Sequence, residues 1–517
     1  MDDESLRRRS GRVAVVLARL AVAILLAAPQ AFAGDAARRP PNLLLIVDDD
    51  HAAGTLGAAG DPHGATPHLD ALARQGVYFE RAYCNAPLCT PSRQSFITGK
   101  LPHATGVTRL PTALPESMRT LGHLLGERGY RTAAIGKMHF NGPSSHGFEL
   151  RRDYAEWLKH IGSHPPPRGD RRKPWRPMID PPATWLNARV EDAGLDAESM
   201  DATYFVNRAI RFMKADAGRP FALVVSFYEP HAPFHFPEES RGRFRPEQFP
   251  AWRLSERDRI EQPKVFRTLS EADVRGVQAA YYTSAAFVDE QIGRLVRALD
   301  DEGHGADTLV VYLSDNGYML GQHGRFEKHC FYEPAVRVPL IVRQTGRLPA
   351  GRRVTDLVEL VDVLPTIFSL LGQPIPPGLH GIDQSGLVVG APGAAGRPVV
   401  FSEYNENEEA MARSDRYKLI VGTGRRARKD GYAPSNPPTG PYERLYDVQA
   451  DPDETTDLAA DPRLAAVKAA LLRSLSERFR ATWEGPKPIP AGLTERQTIG
   501  WCLTPRDRPN PWAGRHM

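Results

Sequence analysis

Asn42-Leu43-Leu44-Leu45-Ile46-Val47-Asp48-Asp49-Asp50-His51 is the stretch that decides the fold. A continuous apolar run of this length suits a central strand of a parallel sheet, because helices cover both of its faces. The run stops abruptly at three carboxylates, which are costly beside a buried strand unless a cation or hydrogen bonds compensate them. They also lie at the carboxyl end of the strand, where open α/β sheets place their ligands. The pattern then recurs down the chain. Thr308–Ser314 is apolar and ends in Asp315-Asn316-Gly317; Arg131–Ile135 runs into Gly136-Lys137-Met138-His139; Pro220–Phe227 runs into Glu229-Pro230-His231-Ala232-Pro233. Helical patterns separate these strands, at Pro67–Arg74, Met118–Arg128, Ala202–Lys214 and from Ser270-Glu271-Ala272-Asp273 to about Leu299. Ser270 and Asp273 form a capping-box-like start to the last of them.

One more segment carries chemistry. Cys89-Thr90-Pro91-Ser92-Arg93 packs a thiol, two hydroxyls, a proline and a guanidinium into one helix start. Thr90 is the expected N-cap, and Pro91 fits the first turn, where its missing N–H costs nothing. Cys89 then sits at the positive end of a helix, which favours an anion. Arg93, one turn on, adds a planar charged fork.

Bulk properties set the frame. The chain has 517 residues, so two or more domains are expected. Lys and Arg number 66 against 62 Asp and Glu, and this near balance points to no nucleic-acid partner. Residues 1–33 resemble a secretion signal: Arg7, Arg8, Arg9 and Arg12, then the apolar run Val13–Ala28, then the small-x-small site Ala31-Phe32-Ala33. No other stretch is long and apolar enough to span a bilayer, so a periplasmic or secreted protein without a stable membrane span is expected. The four cysteines, Cys84, Cys89, Cys330 and Cys502, match no zinc or disulfide framework, although an oxidising compartment permits one bridge among Cys84, Cys330 and Cys502. Residues 34–396 are expected to form the catalytic α/β domain, Gly372–Gly396 being rich in Gly and Pro. Residues 397–485 form a smaller α+β domain of strands and one helix, and 486–517 an irregular tail. A basic, proline-rich insert, Ser163–Pro182, is an irregular loop that fits either a substrate-contacting rim or a surface excursion.

The strand-end segments and the Cys89 helix start would converge on one edge of a parallel sheet, with Lys328 just beyond in a glycine-rich loop. Together they offer oxygen ligands for a hard divalent cation, several positive groups and one nucleophile. Such a site binds and cleaves a tetrahedral oxyanion ester. A thiolate is a poor match for a hard, oxygen-liganded cation, which hints that Cys89 is converted to an oxygen species.

These residues resemble the formylglycine-dependent sulfatases of the alkaline phosphatase superfamily, over roughly Pro41–Pro462. The family signature Cys-x-Pro-x-Arg stands at Cys89–Arg93 with Thr98-Gly99 downstream. It joins Leu45–Asp50, Gly136–His139, Ser314–Gly317, Gly324-Arg325-Phe326-Glu327-Lys328 and the C-terminal Leu445-Tyr446-Asp447. The resemblance implies an α/β fold: a large mixed, mostly parallel sheet flanked by helices, with a smaller C-terminal antiparallel sheet plus helix. It implies that a separate maturation enzyme oxidises Cys89 to Cα-formylglycine, whose hydrate attacks sulfur and then expels sulfate. It further implies Asp49, Asp50, Cys89, Asp315 and Asn316 as metal ligands, with calcium by family habit, although the ligand set equally permits magnesium. Arg93 and Lys137 would hold formylglycine and sulfate, His139 would trigger sulfate elimination, and His231 and Lys328 would contact sulfate and protonate the leaving oxygen. The family usually has a small or apolar residue where Asp48 stands, which leaves Asp48 and Asp49 as alternatives beside Asp50. The substrate would be a sulfated small molecule or sulfated glycan. A formylglycine phosphonate monoester or phosphodiester hydrolase is the alternative enzyme, and an inactive cation- and anion-binding relative the alternative from another class.

Overall fold

A computed structural model describes residues 39–164, 195–215, 218–426 and 439–511. The expected secretion signal and nearly all of the basic insert lie outside the described residues.

The expected central strand is β1, Asn42–Asp48, and every one of its residues is buried. It lies between β5 (Phe221–Ser226) and β6 (Thr308–Ser314), parallel to both. β3 (Arg131–Gly136) pairs parallel with β5, and β4 (Leu150–Arg152) pairs parallel with β3. On the other side β7 (Arg337–Arg343) runs antiparallel to β6 and to β2 (Val77–Tyr83). The short strands β8 (Arg352–Val354) and β9 (Val358–Glu359) pair with β2. The sheet order is therefore β4-β3-β5-β1-β6-β7-β2-β8. This is the mixed, mostly parallel sheet that the sequence indicates.

The side-chain alternation of β1 builds two cores. Leu44 and Ile46 pack on one face with the helices Asp201–Lys214 and Glu271–Asp301. Leu43, Leu45 and Val47 pack on the other with Phe96 and Ile97 of the helix Cys89–Thr98. The long helix starts with the expected box: Ser270 Oγ accepts from Asp273 N–H, and Asp273 accepts from Ser270 N–H. Further along it, Asp289 caps a different helix, Pro67–Gln75, by accepting from the N–H groups of His68 (3.0 Å) and Leu69 (2.8 Å).

A second sheet is antiparallel throughout: β10 (Val399–Tyr404), β11 (Glu409–Ser414), β12 (Tyr417–Gly422) and β13 (Tyr442–Asp447), in that order. Ala410, Ala412, Leu419 and Leu445 on its inner face meet Leu471, Leu475 and Phe479 of the helix Ala465–Thr482. One expectation needs correction here. The stretch expected to be an irregular tail carries the helix Glu495–Leu503, which brings Ile499, Cys502 and Leu503 into the same core. All four cysteines are buried and free, so the permitted disulfide is not formed. No helix among the described residues is long and apolar enough to cross a membrane.

Candidate active site

Strands β3, β5, β1 and β6 are neighbours in the sheet and run in one direction, so their carboxyl ends form one edge. The groups that follow them meet there. Alternation turns Asp48 and Asp49 to opposite faces of the sheet. Asp48 keeps the parity of Leu44 and Ile46 and turns to their core, where its Oδ2 accepts from Tyr312 Oη at 2.9 Å and lies 2.7 Å from His51 Nδ1. Asp49 keeps the parity of Leu43, Leu45 and Val47 and turns toward the Cys89 helix, where Cys89 Sγ donates to its Oδ1 at 3.3 Å. Asp50 then leaves the strand with φ of +66°. Lys328 Nζ donates both to Asp50 Oδ1 at 2.6 Å and to Cys89 Sγ at 2.8 Å. Ligand atoms of Asp49, Asp50, Cys89 and His231 all lie within 4.8 Å of one another.

Cys89 stands at the positive end of a helix as expected, but as its first residue, and Thr90 is not the cap. The N-cap position is Leu88, with no side-chain hydrogen bond. Thr90 Oγ1 instead donates to Leu110 O at 2.9 Å and lies 3.1 Å from His139 Nδ1. Arg93 reaches through the site: Nε donates to Asp315 Oδ2 at 2.6 Å, one terminal nitrogen donates to Ser226 Oγ at 2.6 Å and to Lys137 O, and the other lies 3.7 Å from Asp49 Oδ1. Lys137 pairs with Asp49 Oδ2. Gly136 delivers Lys137 to this point; its φ is +94°, and a Cβ there would lie 1.8 Å from the Ser226 carbonyl oxygen. Asn316 Nδ2 donates to Asp50 Oδ1 at 2.6 Å, and Asp315 Oδ1 accepts from the N–H groups of Asn316 (2.8 Å) and Asp50 (3.2 Å). His231 brings Nε2 to 3.7 Å from Asp50 Oδ2, at the more exposed rim.

The electrostatics are those of a crowded, dry site. Burial pushes the Cys89 thiol up to about 12, although Lys328 works against it. Burial raises Asp50 as well, against Lys328. Burial works to lower Lys328, but Asp50, Cys89 and Asp315 outweigh it and hold the ammonium above its ordinary value. Burial, with Lys137, Arg93 and Lys328 nearby, holds His139 well below the usual imidazole range; burial, Lys328 and Lys137 do the same to His231. Both imidazoles are therefore neutral near pH 7.

The residues fit a cation. Asn316 Oδ1 is buried without a hydrogen-bond partner, in a side chain bonded to Asp50 and next to Asp315. An amide oxygen beside buried carboxylates is the donor set of a hard divalent ion. All ten residues named from the sequence as site groups stand on this edge. Sequence reasoning missed the groups that support them: Ser226, Asn141, Leu110 and Asp507. Asn141 Nδ2 donates to the Leu110 and Thr112 carbonyls, at 2.8 and 3.0 Å, and Asp507 accepts from the N–H groups of Thr108 and Arg109, at 2.8 and 3.0 Å. No short-range motif marks contacts so distant in the chain.

A family model of sulfatases matches residues 41–373, and one for the N-sulphoglucosamine sulphohydrolase C-terminal region matches residues 321–481. The choline-sulfatase of Rhizobium meliloti is 31% identical over 457 residues, covering 84% of this chain and 85% of its own. The ulvan-active sulfatase of Formosa agariphila is 29% identical over 450 residues, covering 82% and 78%. The crystal structure of the phosphonate monoester hydrolase of Agrobacterium radiobacter matches with a TM-score of 0.72 at 25% identity, covering 86% of this chain and 96% of that one. Fold and site together define a hydrolase of the alkaline phosphatase superfamily. Within it, this chain belongs to the sulfatase family and is an enzyme that hydrolyses sulfate esters.

Proposed function

We propose that Cys89 is the precursor of Cα-formylglycine, and that this residue cleaves a sulfate ester with the help of a divalent cation held by Asp49, Asp50, Asp315 and Asn316. The observation that carries the reading is the placement of Cys89 Sγ between Lys328 Nζ and Asp49 Oδ1, beside the unpartnered Asn316 Oδ1. A thiol pushed up by burial is a weak nucleophile near neutral pH, whereas formylglycine supplies a hydrated aldehyde with one hydroxyl to attack sulfur and one to expel sulfate. Calcium suits the oxygen donors, as does magnesium, and either supplies positive charge for the sulfate oxygens.

The chain's own residues supply the rest. Arg93 and Lys137 tie Asp49 and Asp315 in place and present positive charge to the anion. His139, held neutral and oriented by Thr90, is the base that triggers sulfate elimination. Lys328 is the charged member, and His231 the neutral member, of the pair facing the leaving oxygen. The substrate is a sulfated small molecule or a sulfated glycan, the two sizes that the choline- and ulvan-active relatives represent. A formylglycine-generating enzyme is the required partner, and residues 1–33 direct the protein to the periplasm or outside the cell.

Mass spectrometry of the peptide spanning Cys89, from protein made in its native host, tests the reading. Formylglycine is expected in most molecules; a uniformly unmodified thiol would overturn it. The phosphonate monoester hydrolase neighbour supports a second reading, with a phosphorus ester as substrate. Rates on matched aryl sulfate and aryl phosphonate esters decide between the two.

A further inference from the structure

A second group of ligating side chains lies behind the active-site edge. Asp201 is the first residue of the helix Asp201–Lys214, Glu229 follows β5, and His235 lies four residues beyond His231. All three are buried: Asp201 and Glu229 are 0% exposed and His235 8%. Their ligand atoms lie within 4.8 Å of one another, with His235 Nδ1 at 3.3 Å from Asp201 Oδ1. Independently, all four carboxylate oxygens of Asp201 and Glu229 lack a hydrogen-bond partner. Orphaned buried polar atoms are costly, the more so when charged, so four on two facing carboxylates call for a compensating group.

We propose that Asp201, Glu229 and His235 form a second, structural cation site that takes a divalent ion of the transition series. Two carboxylates carry two negative charges, which one divalent ion cancels. The donors are two oxygen groups and one nitrogen, a set that suits zinc or manganese and not calcium. Bonds of about 2.0–2.2 Å would draw the three groups slightly together. The site is separate in chemistry from the all-oxygen set at Asp49, Asp50, Asp315 and Asn316, and it does not depend on the fate of Cys89. Its place in the fold gives it a purpose. The Glu229 carbonyl accepts from Asp49 N–H at 3.2 Å, and Glu229 and His235 bracket the loop that carries His231. An ion here would pin that loop to the Asp201 helix. The competing arrangement is a proton shared between the two carboxyl groups. Burial and the Asp201 charge do hold Glu229 well above the usual carboxylate range, so a shared proton is the form that the ion would displace.

The test is metal binding by the full-length protein. Protein stripped with a chelator is equilibrated with zinc alone and freed of excess, and zinc is measured by mass spectrometry. The doubly substituted Asp50→Asn, Asp315→Asn protein, whose first site is disabled, is expected to retain about one zinc per chain. Adding Asp201→Asn and Glu229→Gln is expected to abolish that zinc, and adding His235→Ala to weaken it at least tenfold. The same zinc should raise the melting temperature of the Asp50→Asn, Asp315→Asn protein and leave the Asp201→Asn, Glu229→Gln protein unchanged. Absence of zinc from the Asp50→Asn, Asp315→Asn protein, when its circular dichroism shows it to be folded, would overturn the proposal in favour of the shared proton. Retention of zinc after Asp201→Asn and Glu229→Gln would overturn it too. Neither outcome depends on whether Cys89 is modified.

Discussion

Lys328 and Lys418 are both buried lysines set between two acidic or thiol groups, and they serve opposite ends. Lys418, on β12, pairs with Glu333 at 2.8 Å and Glu454 at 2.7 Å and donates to Phe331 O at 2.9 Å. Arg413 and Tyr83 also reach Glu333. Two acids thus face three cations, Lys418, Arg413 and Arg337, in a knot that fastens the antiparallel sheet to the main one. Around Lys328, Asp49, Asp50 and Asp315 face Arg93, Lys137 and Lys328, with burial and Lys328 pulling Lys137 down to about 7. That cluster, however, includes a thiol, an amide oxygen without a partner and a histidine at the rim that is only partly buried. A divalent cation added there leaves the cluster net positive, as an anionic substrate requires. Atoms without a hydrogen bond occur in both clusters, Glu333 Oε1, Glu454 Oε1 and Arg413 Nε in the knot and Asn316 Oδ1 in the site; the thiol and the histidine at the rim are what set the site apart.

That contrast can be broken. Its strongest test is at Cys89. Cys89→Ser, which formylglycine conversion of a cysteine cannot use, should lower kcat/KM on an aryl sulfate by about 10⁴-fold or more while the melting temperature stays near wild type. A variant with substantial residual turnover would remove the nucleophile from this residue.

Next come the two lysines. Lys418→Met leaves Glu333 and Glu454 buried without their cation and should cost about 3–5 kcal/mol in denaturant unfolding, with turnover per folded molecule unchanged. Lys328→Met should instead lower kcat by about 10²–10⁴-fold. With calcium present it should cost less stability than Lys418→Met, because Asp50 keeps Asn316. Equal stability losses would erase the distinction between knot and site.

A smaller effect follows from Glu333. Burial works to raise this carboxyl, but Lys418, Arg413 and Arg337 outweigh it and hold it at about 2, below its ordinary 4.5. A depressed carboxyl stabilises the fold fully above the ordinary value, and the contribution is lost as pH falls from about 4.5 to about 2. Acid unfolding of wild type should therefore steepen across that window, and Glu333→Gln should flatten it at the cost of lower stability at pH 7. Parallel acid-unfolding curves for the two proteins would refute the assignment.

The smallest effect is expected at Asp507. Its buried carboxylate holds Thr108, Arg109 and Thr112, and so the loop whose Leu110 carbonyl seats Thr90. Asp507→Ala should raise hydrogen exchange at residues 108–112, at a cost of about 1–2 kcal/mol, and lower kcat/KM only a few-fold. Unchanged exchange there would show that the C-terminal segment does not brace the rim.

The groups legible in the sequence were those carried by strong local patterns. β1 and β6 show as apolar runs that end in oxygen ligands, and the Cys89 helix shows through its proline and arginine. β11, Glu409–Ser414, does not show, because Glu409, Arg413 and Ser414 break its alternation and only pairing with β10 and β12 makes it a strand. The helix Glu495–Leu503 is hidden in a stretch rich in Pro and Arg, and it is decided by burial of Ile499 and Leu503 against the helix Ala465–Thr482. Thr90 has the residue type that favours the cap position, but the helix begins two residues earlier, with Leu88 at the cap, and tertiary partners claim the hydroxyl.

The sequence by itself therefore determined the class of the fold, the edge of the sheet that carries the chemistry, and the residues that stand on it. These follow from hydrophobic period and from where polar groups interrupt it. Only the tertiary structure shows what Asp48 and Asp49 each meet, since that depends on which core each face of β1 packs against. It alone brought Asp201 to Glu229 and His235, and Asp507 to Thr108, because contacts between residues far apart in the chain leave no period in the sequence.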